Sequence, residues 1–194
     1  AMLNSWKIAG IKNQFDFFKG FVQPILDKAA RNRAFVIISD ALRYEAAAEL
    51  TVNLNRQNRV KATIAPLLGV VPSYTALGMA SLLPHDKIAY DSETGDLHID
   101  GQLCASYQDR CKVLQKHEGV AIKGEDLLQM NQQEGRDAIQ GARVVYIYHD
   151  RIDSVGDKAA TEKHTPGAIT KAIEELISLV RCVINNLNGA NVFI

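Results

Sequence analysis

Cysteine is scarce in this chain of 194 residues: Cys104, Cys111 and Cys182 are the three. Their odd number and lack of metal-ligand spacing exclude a disulfide framework and leave reduced thiols, as expected of a cytoplasmic protein. Charge of one sign is also lacking. Lys and Arg total 22, Asp and Glu total 22, and the formal net charge is zero. That balance gives no polybasic membrane patch, no basic tail and no bulk electrostatic grip on nucleic acid. No apolar run approaches the length of a membrane span, and the first residues carry no signal-peptide pattern. Repeats and low-complexity tracts are missing too. What is present is 47% hydrophobic and 23% charged residues, the make-up of a globular domain with a core.

The chain is organised around Ala34 to Leu50, AFVIISDALRYEAAAEL. Phe35 to Ile38 is a short, continuous apolar run rich in β-branched residues, which predicts a buried central strand of a parallel sheet. Ala41 to Leu50 reads as a helix. Asp40 stands between them. It reads either as a helix N-cap or as a carboxylate at the carboxyl end of a strand, where open α/β sheets place their ligands.

The spacing of Trp6, Ile8, Ile11, Phe15, Phe18, Val22 and Leu26 predicts a helical lead-in over 4–31, interrupted at Pro24. Its aromatics Phe15, Phe17, Phe18 and Phe21 read as core. Alternation over Arg59 to Pro66 predicts a second strand. Thr75 to Leu83 follows the turn residues Pro72 and Ser73 and reads as a short helix, with Thr75 in its first turn. Ile88 to Tyr90 and Leu97 to Ile99 flank a Gly-containing loop and predict a hairpin. Residues 86–142 otherwise read as an elaboration with no chemistry of its own. Within them are a helix over 106–118, a strand at 120–122, a short helix near 125–130 and an exposed polar stretch at 132–136. Ala142 to His149 is another apolar run, followed by a carboxylate-rich loop from Asp150 to Lys158. Thr165-Pro166 opens a long helix whose stripe is Ile169, Ile173, Leu176, Val180, Val183 and Leu187. Asn188-Gly189 stops it, and a last strand begins near Ala190. Alternating strands and helices predict an α/β sandwich with a mostly parallel sheet. A chain that stops at Asn191-Val192-Phe193-Ile194, as a strand opens, carries the expectation of a piece cut from a longer domain.

Three segments place polar residues at strand ends or beside them: Ser39-Asp40, Ser73-Tyr74-Thr75, and His149 to Asp157. Parallel neighbours would bring these to one sheet edge, gathering Asp40, Thr75, Asp153 and Asp157 with Arg43, His149 and Arg151. Clustered carboxylates repel unless a cation neutralises them, so the pattern points to a divalent metal and an activated Thr75 hydroxyl. The competing readings are structural. Asp40 caps a helix, Thr75 enters one, Asp153 and Asp157 lie in a solvated loop, Arg43 pairs with Glu49, and His149 is a hydrogen-bonded core histidine.

The strings FVIISDALRYE, VVPSYTALGMASLLPH and VVYIYHDRIDSVGDKAATE resemble the PglZ domain family of BREX phage-resistance systems, within the alkaline phosphatase superfamily. The resemblance covers residues 33 to 194 and leaves 1–32 as a helical lead-in. It implies a three-layer α/β sandwich, alkaline phosphatase-like and incomplete at the carboxyl end. It implies Thr75 as nucleophile and metal ligand, with Asp40, Asp153 and Asp157 as further ligands of a two-metal site holding zinc, magnesium or manganese. Asp157 stands where many superfamily members carry His, and an oxygen ligand shifts the preference towards the harder ions. Arg43, Ser73, His149 and Arg151 would then face a phosphodiester or nucleotide substrate. A further Asp-His motif of the family has no counterpart before Ile194, so this chain by itself is expected to be inactive. The resemblance also implies partners among phage-defence proteins, such as a DNA methyltransferase. The alternative is a non-catalytic scaffold of the same complex, and the sheet edge at 191–194 offers a surface for self-association.

Overall fold

The computed structural model describes residues 7–156 and 165–194. In chain order the elements begin with β1 (Lys12–Asn13), short 3-10 and π turns over Gln14–Asp16 and Phe18–Val22, α1 (Gln23–Lys28), β2 (Ala34–Ser39) and α2 (Tyr44–Asn55). There follow β3 (Leu67–Leu68), α3 (Thr75–Ser81), β4 (Ile88–Tyr90), β5 (Leu97–Ile99), β6 (Gln102–Leu103), α4 (Tyr107–Gln115) and β7 (Gly119–Lys123). The last are α5 (Gly124–Gln129), α6 (Gln132–Ala138), β8 (Val144–His149), α7 (Arg151–Gly156), α8 (Thr165–Asn185) and β9 (Asn191–Phe193). The chain is a mixed α/β protein with a parallel sheet, and its described residues gather into two compact units. One comprises the residues up to 34 with 66–121 and 141–146; the other comprises 35–65, 122–140 and 147 onward.

A four-stranded sheet has the order β7-β8-β2-β9. Phe35, Val36, Ile37 and Ile38 are buried without alternation, as a strand covered on both faces requires. Asp40 N–H donates to His149 O at 2.8 Å at the carboxyl ends of β2 and β8. At their beginnings, in the first unit, Ala34 N–H donates to Arg143 O at 3.0 Å, so the two strands run parallel. α8 supplies the cover. Ala172, Ile173, Leu176, Leu179, Val180 and Val183 are buried along it, and α2, α5 and α7 pack against it. The stripe is wider than the sequence spacing suggests, because Ala168, Ala172 and Leu179 extend it. After α8, Asn188 takes a left-handed φ of 55°. Gly189 N–H then returns to Val183 O at 2.8 Å, confirming the predicted helix stop.

In the first unit β1 and β3 pair in parallel, Lys12 with Leu67 and Asn13 with Leu68. The predicted hairpin is present as β4 against β5, with Ile88 opposite Ile99, and β6 adds a third antiparallel strand. α4 opens on a capping box in which Ser106 and Asp109 satisfy each other's backbone N–H groups. Val22, Leu77, Ala80, Leu83, Leu114 and Tyr146 are fully buried, and the Tyr146 hydroxyl donates to Leu82 O at 2.5 Å. The Arg143 guanidinium donates to the carbonyls of Leu26 and Ala29, satisfying groups left open at the end of α1.

Three local expectations are corrected. Residues 8–13 are not helical: Gly10 turns at φ 82°, Ile8 bridges Ile11, and β1 pairs instead with β3. Arg59 to Pro66 is not a strand. The Asn55 side chain takes both backbone groups of Ala62, donating to its carbonyl at 3.0 Å and accepting its N–H at 2.9 Å. The carboxylate-rich stretch after His149 is helical over α7, with Asp153 in the first turn where the helix dipole favours an anion. The polar stretch from Gln132 is exposed as expected, apart from the buried Gly135, and forms the helix Gln132–Ala138 closed by an Asn131–Glu134 capping box.

Packing at the helix stop gives a first prediction. A Cβ on Gly189 would lie 2.4 Å from Val183 Cγ1 and 2.8 Å from Phe35 Cε2. Gly189→Ala is expected to lower unfolding free energy by about 1–3 kcal/mol, read from urea denaturation.

Candidate functional site

The turn after β2 differs from a plain strand-to-helix entry. Arg43, not Asp40, occupies the N-cap position of α2, and it makes no side-chain cap bond. Between them the backbone makes a tight turn in which Leu42 N–H reaches Ser39 O at 3.3 Å and Ala41 adopts φ 60°. A left-handed alanine costs about 1 kcal/mol. Asp40 Oδ1 accepts the Ala41 N–H at 2.9 Å and helps hold the turn. The N-cap role for Asp40 is therefore overturned, and its carboxylate stays at the end of the strand, half-buried.

His149, the last residue of β8, is 7% exposed. Its Nδ1 lies 3.0 Å from Ser39 Oγ and its Nε2 lies 2.9 Å from Glu175 Oε2. Arg151, in the first turn of α7, donates through Nε to the same Oε2 at 3.1 Å and through Nη2 to Oε1. Burial pushes the Glu175 carboxyl up, but the bonds from Arg151 and His149 outweigh it and hold the group below its ordinary range. An ionised Glu175 is an acceptor for an Nε2–H, and with that tautomer Nδ1 is the nitrogen that faces the Ser39 hydroxyl. Gly124, the first residue of α5, lies close to this network: a Cβ there would meet Leu179 Cδ1 at 3.1 Å, Tyr148 O at 3.3 Å and His149 Cβ at 3.7 Å.

Among the sequence candidates, the second unit thus brings Asp40, His149 and Arg151 to the carboxyl ends of adjacent strands, with Ser39, which was not a candidate, beside them. Asp153 is half-buried on α7, and Arg43 is exposed and forms no ion pair with Glu49. Asp157 lies outside the described residues. Glu175 was not among the candidates. The signal for it was its position on α8: with Ala168, Ala172 and Leu179 it falls in one helical line of otherwise buried apolar residues.

Thr75 and Ser73 belong to the first unit. Thr75 is the first residue of α3 and is exposed, as is Ser73. No motif points to the residue that holds the segment around them. Gln14 donates to Gly78 O at 3.0 Å and accepts Val70 N–H at 3.4 Å, so one side chain spans both flanks of the Ser73-Tyr74-Thr75 turn. The thiol of Cys104 is buried and pushed up to about 11 by that burial, which fits an inert core cysteine.

Among the described residues no three His, Cys, Asp or Glu side chains lie together as a metal-ligand set. Asp40 and Asp153 do not by themselves make a metal centre. Also among the described residues, no helix is long and apolar enough to cross a membrane.

A family model described as the BREX system PglZ alkaline phosphatase-like domain matches residues 17–194. The chain belongs to the PglZ family. The alkaline phosphatase-like protein BrxZ of Escherichia coli O9:H4 (strain HS) is 45% identical over 193 residues, which is 99% of this chain and 22% of that protein. The alkaline phosphatase-like protein PglZ of Bacillus cereus (strain H3081.97) is 42% identical over 191 residues, 97% of this chain and again 22% of the relative. The chain therefore spans about a fifth of these PglZ relatives. The PglZ match begins at residue 17, so it takes in the π turn and α1 but not Gln14.

The Glu175 network gives a second prediction. Glu175→Ala leaves the Nε2–H of a buried imidazole and a guanidinium without their acceptor, and is expected to cost about 1–3 kcal/mol in urea denaturation. Because the native carboxyl is held below its ordinary value, its contribution is full above the unfolded-state pKa and is lost as pH falls through the native one. Glu175→Gln is expected to flatten that acid limb of the stability–pH curve, while the wild type keeps its slope.

Proposed function

We propose that the protein serves as a metal-dependent phosphoesterase of the PglZ type, acting on a phosphodiester or nucleotide, with Thr75 as the attacking group. The family match over residues 17–194 carries this reading. Two features support it: the exposed Thr75 at the start of α3, and the Asp40 carboxylate kept at the end of a central strand. The three-layer alkaline phosphatase-like architecture belongs to the same proposal, as does a second role for Thr75 as a ligand. Asp40, Asp153 and Asp157 are the carboxylates assigned to divalent zinc, magnesium or manganese, with Asp157 favouring the harder ions. Such ions would lower the pKa of an attacking oxygen and stabilise developing charge. Among the described residues these ligands do not complete a site.

For its own part the chain contributes the placement of the attacking group. Gln14 restrains both flanks of the Thr75 turn, which reduces the freedom an attacking oxygen loses on reaching phosphorus. Arg43, Ser73, His149 and Arg151 are the polar groups proposed to face substrate, although Arg151 is engaged with Glu175 in this structure. Membership of a BREX family supports partners among other BREX proteins, including a DNA methyltransferase. β9 lies at the edge of the sheet, and self-association through it is part of the proposal.

The test compares two lengths of protein on a chromogenic phosphodiester with zinc, magnesium and manganese in turn. The 194-residue chain is expected to show no turnover above the free-ion background. Protein spanning the length of the relatives is expected to hydrolyse the substrate, and Thr75→Ala to lower kcat by about 1,000-fold or more. Turnover by the short chain that vanishes in Thr75→Ala would overturn the incomplete-site reading. A full-length protein inert with every ion, yet still binding its BREX partners, would replace the enzyme with a scaffold.

A further inference from the structure

The Ser39–His149–Glu175 array has the connectivity of a nucleophile, a base and an orienting acid; the phosphoesterase reading uses His149 as a substrate-facing group but gives Ser39 and Glu175 no role. A hydroxyl lies 3.0 Å from one imidazole nitrogen, and a carboxylate lies 2.9 Å from the other. The imidazole is buried, so water does not compete for either nitrogen. The carboxylate is gripped by both arms of Arg151 and is thereby fixed in position. Ser39 itself is only half-buried. It ends a central strand, and the left-handed Ala41 turns the chain sharply just beyond it. A serine at a tight turn off the carboxyl end of a parallel strand, backed by His and an acid, is the arrangement that activates hydroxyls for acyl transfer on unrelated folds.

We propose that Ser39 is a second nucleophile, activated by His149 and Glu175, that accepts acyl groups from carboxylic esters without a metal ion. In the first step Ser39 Oγ attacks the ester carbonyl and its proton passes to His149 Nδ1. The resulting imidazolium is held by the Glu175 carboxylate through Nε2–H. The C–O bond of the ester then breaks, and the leaving alcohol takes the proton back from Nδ1. Water enters by the reverse sequence and releases the acid from Ser39. The phosphoesterase reading places its attacking group at Thr75, so the two proposals stand or fall separately.

A fluorophosphonate probe tests this on the 194-residue chain in excess chelator. Ser39 Oγ would form the bond to phosphorus, fluoride would leave with the bonding electrons, and the adduct would persist for peptide mass spectrometry. Expected is one phosphonyl group, located on Ser39, with none at that position in Ser39→Ala. His149→Gln is expected to slow labelling by about 100-fold and Glu175→Gln by about 10-fold or more. Ser178→Ala, which removes an exposed hydroxyl of α8, is expected to label like wild type. Folded wild-type chain that takes up no probe, or takes it up no faster than urea-unfolded chain, overturns the proposal. So does labelling of a folded Glu175→Gln protein at the wild-type rate; this near-isosteric change at a part-exposed carboxylate keeps the test decisive if His149→Gln fails to fold.

Discussion

The parallel alignment of β2 with β8 is the constraint on which the described chemistry depends. It is fixed at one end by Ala34 and Arg143 and at the other by Asp40 and His149. A shift of one residue would turn Ser39 to the opposite face of the sheet and separate it from the imidazole. The continuous burial of Phe35 to Ile38 opposes such a shift, because these side chains fit a strand covered on both sides. Polar geometry at the strand ends is therefore set by apolar packing in the middle, and the long α8 serves both. Its stripe covers the sheet, while Glu175, set in the same face, reaches the strand edge.

The strong elements of the fold were legible from residues. β2, β8, α8 and the β4–β5 hairpin follow from apolar runs and helical spacing, and the structure places them close to the expected limits. Failures came where a side chain or a turn outcompeted the pattern. Arg59 to Pro66 alternates like a strand, but a strand needs a partner, and an asparagine supplied the hydrogen bonds instead. The lead-in has helical spacing as far back as Ile8, yet Gly10 at positive φ breaks it and turns its start into a strand.

The candidate site was legible in part for a related reason. Asp40, His149 and Arg151 stand next to strand ends, and strand ends are visible in sequence. Glu175 and Gln14 reach the sites from far along the chain, Glu175 by 26 residues from His149 and Gln14 by 64 residues from Gly78. Separations of that size leave no local spacing to read. Glu175 left a faint trace as a charge within an apolar helical line, whereas Gln14 left none. The match to the PglZ family identifies the chain but does not reveal either contact, since both are matters of tertiary geometry.

The pairing of Asn55 with Ala62 has a bearing on how this protein ages. An amide serves Ala62 because it offers a donor and an acceptor side by side. Hydrolysis of that amide to a carboxylate would keep the acceptor and turn the donor into a second acceptor, facing the Ala62 carbonyl. The extended segment after α2 would lose its clasp and present an open backbone carbonyl. A segment with strand-like alternation and a freed backbone is a template for pairing with other chains. One slow covalent change at a single side chain would thereby open a route to aggregation that the native amide keeps shut.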